Sequence, residues 1–433
     1  MDSLKLNNLY QHFLQCKSVS TDSRQIIPGS IFFALKGENF NGNLFAVKAI
    51  ESGASMAVVD DDSLHDHPGL FKVPDVLESL QQLAMLHRRK MKARVIAITG
   101  SNGKTTTKEL VYVVLKSVYQ VIATQGNLNN QIGVPLTLLR ILPETEFAVI
   151  EMGANHVGEI AALCSIASPG FGMITNIGKA HLEGFGGIEG VVRAKTELYK
   201  AIENIKGVLF VNQQDALLMQ HSEGIIRATY GKQSSTSLIN GQLLSSNPLL
   251  SIEWNETGSS YEVHTNLVGA YNLDNILAAI TIGRYFDIQP ERINQAIQDY
   301  IPSNNRSQLI QKKQNRIIMD AYNANPVSMT LALQNFAKLN GDKRMLILGD
   351  MLELGKESEK EHQAILDLIR DLGFQEVYLV GQEFGKLMPQ DGFLWYAGVD
   401  EFNSVVSQAG IAGYDILIKG SRGIRLERVS LLH

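Results

Sequence analysis

The most constraining feature of this sequence is a glycine-rich turn between an apolar strand and a helix. The segment reads RVIAITGSNGKTTTKELVYVVL and starts at Arg94. A buried strand followed by such a turn and a helix allows the turn's amides to converge on an anion at the helix N-terminus. The segment therefore predicts a phosphate-binding loop within an α/β domain.

The residues expected to contact phosphate are those of the loop and the first turn of its helix, namely Gly100, Ser101, Asn102, Gly103, Lys104, Thr105 and Thr106. We expect the amides from Gly100 to Lys104 to converge on the anion. Lys104 would contact the outer phosphates, and the Thr105 hydroxyl would ligate Mg²⁺. The common GxxxxGK[ST] pattern requires glycine at 98, where this chain has Ile98. The motif is thus a shortened TGxxGKTT form; a chance turn is the alternative.

Short apolar runs rich in Val and Ile, each followed by a helical stretch, recur along the chain. This rhythm is typical of parallel sheets covered by helices. It occurs in three blocks, and 433 residues at about 150 residues per domain also give about three domains. We predict an α/β protein with domains 1–92, 93–308 and 309–433, the central one built on a P-loop-type parallel sheet.

Composition excludes several classes of protein. With 39 basic and 44 acidic residues the net charge is −5, so the basic excess of a nucleic-acid-binding protein is absent. Apolar runs fall short of the roughly 18 residues of a membrane span. The only cysteines, Cys16 and Cys164, are too few for a disulfide framework or a cysteine metal cluster. The N-terminus shows no export signal, so we expect a cytoplasmic protein without nucleic-acid or membrane partners.

Three further residues carry chemical meaning. Glu151 ends the apolar run FAVIE, where it would either hold a metal or cap the next helix. His181 and Lys195 follow, and both residue types are usually structural or solvated. An ammonium about 4 Å from a divalent cation meets about 8 kcal/mol of repulsion at an effective dielectric near 20. If Lys195 lies at a metal, it must be modified.

The strings that carry a resemblance run in order from 99 to 326: TGSNGKTT, EMGANH, NIGKAHLEGFG, RAKTELY, YNLDN and DAYNANP. They resemble the Mur ligase superfamily of ATP-dependent amide-forming ligases. Within it, STDSR, GNLNNQIGVP and LGDMLELG are similar to the members that join D-alanyl-D-alanine to UDP-N-acetylmuramoyl-tripeptide in peptidoglycan precursor synthesis. The resemblance implies a UDP-sugar-binding N-terminal domain, a central ATP-binding domain and a Rossmann-like C-terminal domain that binds the dipeptide.

The resemblance also implies two Mg²⁺ ions. Thr105 and Glu151 match the positions of the first-metal ligands, and His181 with a carbamylated Lys195 would hold the second. Carbamylation turns the lysine cation into an anion and removes the charge conflict. Lys104, Glu151, His181 and Lys195 are the expected catalytic residues.

The resemblance assigns the nucleotide and substrate contacts as well. Asn272, Asn275 and Asp320 match positions around adenosine, and Arg306 matches an arginine that reaches the phosphates. The expected substrate-binding residues are Ser23, Arg24, Asn127, Asn130, Tyr322 and Asn323. The alternatives are local: a helix cap for Asn272 and Asn275, and turn or exposed-loop roles for Asp320, Arg306 and the other asparagines. Ser23 and Arg24 could equally belong to a turn.

One position departs from the family pattern, because Asn43 stands where relatives often have histidine. The implied reaction forms an acyl phosphate, which the amine of the dipeptide then attacks, and we expect a monomer. Three rival readings remain. Two are a sister ligase that adds one amino acid, whose DNPR motif this chain lacks, and a folylpolyglutamate synthase-like ligase. The third is a nucleotide-binding regulator without ligase chemistry.

Overall fold

A computed structural model describes residues 1–65, 67–179, 182–232, 236–341, 343–387, 392–406 and 411–432. Within them the helices are α1 Ser3–Gln15, α2 Ala46–Glu51, α3 Val76–Lys90, α4 Lys104–Lys116, α5 Gly133–Leu138, α6 Glu159–Ala167, α7 Leu182–Phe185, α8 Ile188–Asn204, α9 Ala216–His221, α10 Leu273–Tyr285, α11 Pro290–Asp299, α12 Pro326–Ala337, α13 Ser358–Asp371, α14 Gln382–Lys386 and α15 Val399–Val406.

The strands of the same ranges are β1 Val19–Ser20, β2 Ile31–Phe33, β3 Lys36–Gly37, β4 Phe40–Asn41, β5 Met56–Val59, β6 Leu70–Lys72, β7 Arg94–Thr99, β8 Val121–Ala123, β9 Phe147–Glu151, β10 Phe171–Ile174, β11 Val208–Asn212, β12 Ile226–Lys232, β13 Ile239–Ser246, β14 Leu249–Glu256, β15 Ser259–Val268, β16 Gln308–Lys312, β17 Asn315–Asp320, β18 Arg344–Gly349, β19 Glu376–Val380, β20 Leu394–Tyr396 and β21 Asp415–Lys419.

The chain forms two compact units. The first comprises residues 1–97, 119–153 and 159–170, and the second comprises 98–118, 154–158 and 171–433. Because both units draw on separated segments, they do not test the predicted borders near 92 and 308, which stay a prediction.

The first unit contains a four-stranded parallel sheet in the order β1-β2-β5-β6. Its core includes Phe32, Ala57 and Val59, from the apolar runs that predicted strands here. Strands β8 and β9 of the same unit pair in parallel, and β9 ends at Glu151. A strand end of this kind is where open α/β sheets place functional side chains.

The second unit contains strands in the order β15-β14-β13-β12-β11-β10. Strands β10 to β13 are parallel, and β13 to β15 form an antiparallel meander. The meander occupies the stretch that alternates polar and apolar residues in the sequence. Helix α10 packs against α4 and thereby lies beside the phosphate loop.

A six-stranded sheet in the order β16-β17-β21-β18-β19-β20 completes the second unit. Only the edge strand β16 runs antiparallel. Along β18, Met345 and Ile347 face one apolar core while Leu346 and Leu348 face the other. Burial on both faces explains why this strand is a continuous apolar run in the sequence. The predicted α/β fold with parallel sheets is confirmed.

Strand β7 covers the predicted run RVIAIT, and α3 begins after Asp75, whose Oδ1 accepts a hydrogen bond from Glu78 N at 2.6 Å. This is an N-cap of the usual kind. Among the helices described, none is both long and apolar enough to cross a membrane.

Candidate active site

The phosphate loop ends where α4 begins, at Lys104. Gly103 has a φ of +80° and accepts the first helical hydrogen bond, from Thr107 N. The first N–H groups of a helix have no partner within it and carry partial positive charge. Lys104 Nζ folds over the loop and donates to Gly100 O at 2.6 Å and Ser101 O at 3.3 Å. The loop therefore concentrates positive charge at the helix N-terminus.

The loop is clamped by the segment that follows β10. Ser101 N donates to Asn176 O, and Asn102 N donates to Asn176 Oδ1, each at 3.0 Å. Asn176 Nδ2 and Thr175 Oγ1 in turn donate to Asn102 O, at 3.0 and 2.6 Å. The expectation that all amides from Gly100 to Lys104 face an anion is therefore corrected: those of Ser101 and Asn102 are used inside the protein.

The two asparagines of YNLDN do not cap α10. Thr107 Oγ1 donates to Asn275 Oδ1 at 3.0 Å, and Asn275 Nδ2 donates to Asn272 Oδ1 at 2.8 Å. Asn272 Nδ2 continues the chain to Val268 O at 2.8 Å. Asn272 makes no side-chain cap bond. This buried network joins α4 to the end of β15 and lies directly against the phosphate loop.

Gly103→Ala is expected to weaken ADP binding about ten- to a hundredfold, because a side chain at positive φ costs about 1–3 kcal/mol and the loop would have to shift to relieve this strain. A Cβ on Gly103 would lie 2.7 Å from Asn275 Oδ1. Isothermal titration of ADP measures the effect. Gly224→Ala is the matched control, since Gly224 has a φ of +79° but open space around it. Equal ADP affinity in the two variants would contradict the prediction.

Glu151 ends β9 with a buried carboxylate. Its Oε1 accepts a hydrogen bond from Asn129 Nδ2 at 2.8 Å, and its backbone N donates to Thr124 Oγ1 at 3.0 Å. Oε2 is buried and finds no hydrogen-bond partner in the described part of the chain. Burying an unpaired carboxylate oxygen is costly unless a cation or donor meets it. Oxygen ligands of this type suit Mg²⁺.

The asparagines of the loop GNLNNQIG have partners within the first unit. Asn130 Oδ1 accepts hydrogen bonds from Ile132 N and Gly133 N at 3.1 and 3.0 Å, so its side chain serves the start of α5. Asn127 O accepts from Asn129 N. Asn129, which the sequence analysis did not single out, is the residue that contacts Glu151. Its position among three closely spaced asparagines was the only available indication.

Lys195 lies on α8 and is only 2% exposed, so the solvated alternative is excluded. Its Nζ lies 5.4 Å from the centre of the Phe185 ring. His181 falls outside the described residues, and its place relative to Lys195 stays a prediction. A group of three or more His, Cys, Asp or Glu residues able to hold a metal is not found among the residues described.

Charged and aromatic side chains meet after β17. The Lys419 ammonium, 2% exposed, lies 2.6 Å from Asp320 Oδ2. The Arg306 guanidinium stacks on the Tyr322 ring at 3.7 Å, with that of Arg422 5.5 Å from the same ring. Asp320 Oδ1 also accepts from a backbone N–H, and the exposed-loop role for Arg306 is not supported because its Nε is buried. The structure thus brings together three of the predicted residues.

The neighbouring asparagines of DAYNANP have different partners. Asn323 Oδ1 accepts only from Ala324 N among the bonds described, at 3.0 Å. Asn325 Nδ2 instead donates to Asn102 Oδ1 of the phosphate loop at 2.7 Å. Asn323 was predicted from the sequence as a site residue, whereas Asn325 was not.

Ser23 and Arg24 lie in a turn of the first unit. Arg24 Nε and Nη2 donate to Asp22 at 2.9 and 2.8 Å, while the arginine side chain remains 85% exposed. Hydrogen bonds from Arg24 lower the pKa of Asp22 to about 2. The side chain of Arg24 is thus held within this turn by Asp22.

Asn43 has a structural role. Its Nδ2 donates to Asp60 Oδ1 at 2.8 Å, and its Oδ1 accepts from Asp60 N at 3.1 Å. Lys36 pairs with the same carboxylate at 2.9 Å. The buried amide thus links the segment after the β3–β4 hairpin to the end of β5.

Asn43→Ala is expected to lower the free energy of unfolding by about 1–3 kcal/mol, because it removes both hydrogen bonds between the buried Asn43 amide and Asp60. Urea unfolding followed by circular dichroism measures the change. Ser63→Ala, which removes a hydroxyl bonded to Asp61 at an exposed site, is the control and should change stability by less than about 0.5 kcal/mol. Equal losses in both variants would contradict the assignment.

Comparison with known proteins agrees with this geometry. Three Mur ligase family profiles match in succession: the catalytic domain over residues 15–99, the middle domain over 98–283, and the glutamate ligase domain over 305–392. The chain is 34% identical to UDP-N-acetylmuramoyl-tripeptide--D-alanyl-D-alanine ligase of Bacillus subtilis, covering 95% of this chain and 92% of that protein.

Solved structures extend the similarity. MurF from Acinetobacter baumannii superposes with a TM-score of 0.84 at 31% identity, covering 98% of this chain and 96% of that one. MurF ligase from Thermotoga maritima in complex with ADP gives 0.85 at 26% identity, with 97% of both chains covered. The fold class and the family predicted from the sequence are confirmed. The phosphate loop, the polar strand ends and this end-to-end similarity together establish that the chain belongs to the Mur ligase family.

Proposed function

We propose that this protein joins D-alanyl-D-alanine to UDP-N-acetylmuramoyl-tripeptide, using ATP and releasing ADP and phosphate. The observation that carries the proposal is the similarity, over nearly the whole of both chains, to a relative named for this reaction. The chain's own geometry supports it, because Lys104 and the N-terminus of α4 converge on one loop. The product would be the complete peptide of the peptidoglycan precursor.

The reaction requires that the reactants be aligned and that negative charge on the phosphoryl group be stabilised. A carboxylate oxygen of the tripeptide attacks the γ-phosphorus of ATP, the bond to the bridging oxygen breaks, and an acyl phosphate and ADP result. The dipeptide amine then attacks the carbonyl carbon, loses a proton, and expels phosphate. Lys104 and the α4 N-terminus would stabilise negative charge on the phosphoryl group during the first step. No side-chain nucleophile is required, since correct alignment of the reactants supplies much of the rate.

The metal proposal rests on the chain's own oxygen and nitrogen ligands. Glu151, with its buried unpaired Oε2, fits a cation, and Thr105 would be its partner ligand. His181 and a carbamylated Lys195 would hold a second ion, and carbamylation would convert the cationic side chain of the buried Lys195 into an anion that can ligate it. When bound, Mg²⁺ neutralises charge on the phosphoryl oxygens.

The remaining assignments follow the same proposal. Asn272, Asn275 and Asp320 would surround adenosine and Arg306 would contact phosphate, while substrate would be held by Ser23, Arg24, Asn127, Asn130, Tyr322 and Asn323. Domains 1–92, 93–308 and 309–433 would bind the nucleotide sugar, ATP and the dipeptide. We place the protein in the cytoplasm as a monomer without nucleic-acid or membrane partners.

The test is phosphate release from ATP and Mg²⁺, with the nucleotide tripeptide and D-alanyl-D-alanine added separately and together. Release that requires both, with a product heavier by one dipeptide residue, is the expected result. Release with the tripeptide and a single amino acid would indicate a sister ligase, and release with a folate substrate a folylpolyglutamate synthase. Hydrolysis that ignores every added amine would indicate a nucleotide-binding regulator.

A further inference from the structure

Asn325 uses both ends of its side-chain amide. It is the N-cap of α12: its Oδ1 accepts from Ser328 N at 2.9 Å, and its N donates to Ser328 Oγ at 3.1 Å, which completes a capping box. The amide nitrogen is not needed for the cap. It donates to Asn102 Oδ1 in the phosphate loop at 2.7 Å, across 223 residues of sequence.

Asn102 is in turn fixed from a second side. Its backbone N–H and C=O are both occupied by Asn176, and Thr175 adds a further bond to the carbonyl. The side chain is therefore the part of Asn102 that is left to contact a second segment, and it contacts Asn325. Both segments belong to the second compact unit. Asn102 is therefore held both by the segment that follows β10 and by Asn325, the N-cap residue of α12.

We propose that Asn325 is a positioning residue for the phosphate loop: through Asn102 it fixes the loop in the form that receives ATP. Nucleotide affinity then depends on a residue outside the loop, in the segment that also carries Asp320 and Tyr322. The inference rests on the proposed function only for its kinetic readout, because nucleotide binding can be measured without any ligase substrate.

Asn325→Ser tests this with the helix cap retained, since serine caps helices about as well as asparagine but is too short to reach Asn102. We expect ADP and ATP to bind about three- to tenfold more weakly, the effect of one lost hydrogen bond. The KM for ATP should rise by a similar factor, with the KM for the dipeptide unchanged. The double variant Asn102→Ala/Asn325→Ser should bind no more weakly than Asn102→Ala alone.

Two controls separate positioning from general loosening. Ser328→Ala removes a hydroxyl from the same capping box and leaves the bond to Asn102 in place. Glu361→Gln removes the 2.8 Å ion pair with Lys179, another contact between distant segments of this unit. Three results would each overturn the proposal. The first is that Asn325→Ser binds ADP within twofold of the unsubstituted protein, and the second is that the effects of the two substitutions multiply in the double variant. The third is that either control weakens ADP binding as much as Asn325→Ser does. Failure of the proposed function instead shows as missing ligation in the unmodified protein with ADP binding intact.

Discussion

Lys195→Ala is expected to reduce ligation by at least about a hundredfold while ADP binding stays within about twofold, as expected for an interaction made only in the transition state. The lysine is buried on α8 beside Phe185, and its expected carbamate motivates the prediction. Carbamylation joins the amine nitrogen to the carbon of CO₂ with loss of a proton, and the resulting anion has the charge that a metal ligand needs. Alanine has no amine to carbamylate and therefore cannot supply this anionic ligand.

The measurement combines steady-state phosphate release with calorimetric ADP binding. Lys200→Ala is the matched control, because Lys200 lies on the same helix but is exposed. Bicarbonate with a short carboxylic acid should partly restore the activity of the alanine variant. With ¹³CO₂, a carbamate carbon signal should appear in the unsubstituted protein and in Lys200→Ala, and be missing in Lys195→Ala. Full activity of Lys195→Ala, or the same loss in Lys200→Ala, would show that the second-metal assignment is wrong.

The burial of Lys195 follows from the spacing of apolar residues in the sequence around it. Val191, Lys195, Leu198 and Ile202 recur at intervals of four, three and four residues, and all four are buried on α8. This is the spacing of one helix face. A lysine on an otherwise apolar face is a stronger indication of a special role than a lysine on a helix in general.

Strands were predictable because each one is encoded by a short contiguous run of residues. Strand β7 matches the predicted run, since a buried parallel strand between polar turns is a short apolar run. The phosphate loop was predictable for the same reason, because strand, glycines and helix are contiguous.

The contacts that shape the site were not predictable, because they are made between asparagines far apart in sequence. Asn102 bonds to Asn176, 74 residues away, and to Asn325, 223 residues away. Asparagine is also common in turns and at helix caps, so the sequence around an asparagine does not show whether its side chain serves a turn or contacts a distant segment. Asn129 was missed beside Asn127 and Asn130 because the choice among adjacent asparagines depends on the direction of each side chain.

Glu151→Gln is expected to lower ligation by about a hundredfold and to raise the Mg²⁺ concentration needed for half-maximal rate. Glutamine keeps an oxygen that can accept from Asn129 Nδ2, so the local hydrogen bond survives. It replaces the buried, unpaired Oε2 by an amide nitrogen that cannot ligate a cation. The substitution thus removes one charge and one ligand with almost no change in shape.

The same geometry predicts an opposite effect on stability. Without Mg²⁺, an unpaired buried carboxylate oxygen disfavours the folded state, so Glu151→Gln should unfold at the same or a higher temperature than the unmodified protein. Adding Mg²⁺ should then raise the unfolding temperature of the unmodified protein and leave that of the variant unchanged, since a bound ion stabilises only the form that binds it. Glu144→Gln, at an exposed carboxylate before β9, controls for the lost charge and should retain both the Mg²⁺ response and the activity. A Glu151→Gln protein that is destabilised without Mg²⁺, yet keeps its Mg²⁺ response, would mean that this carboxylate is a structural group of the strand end.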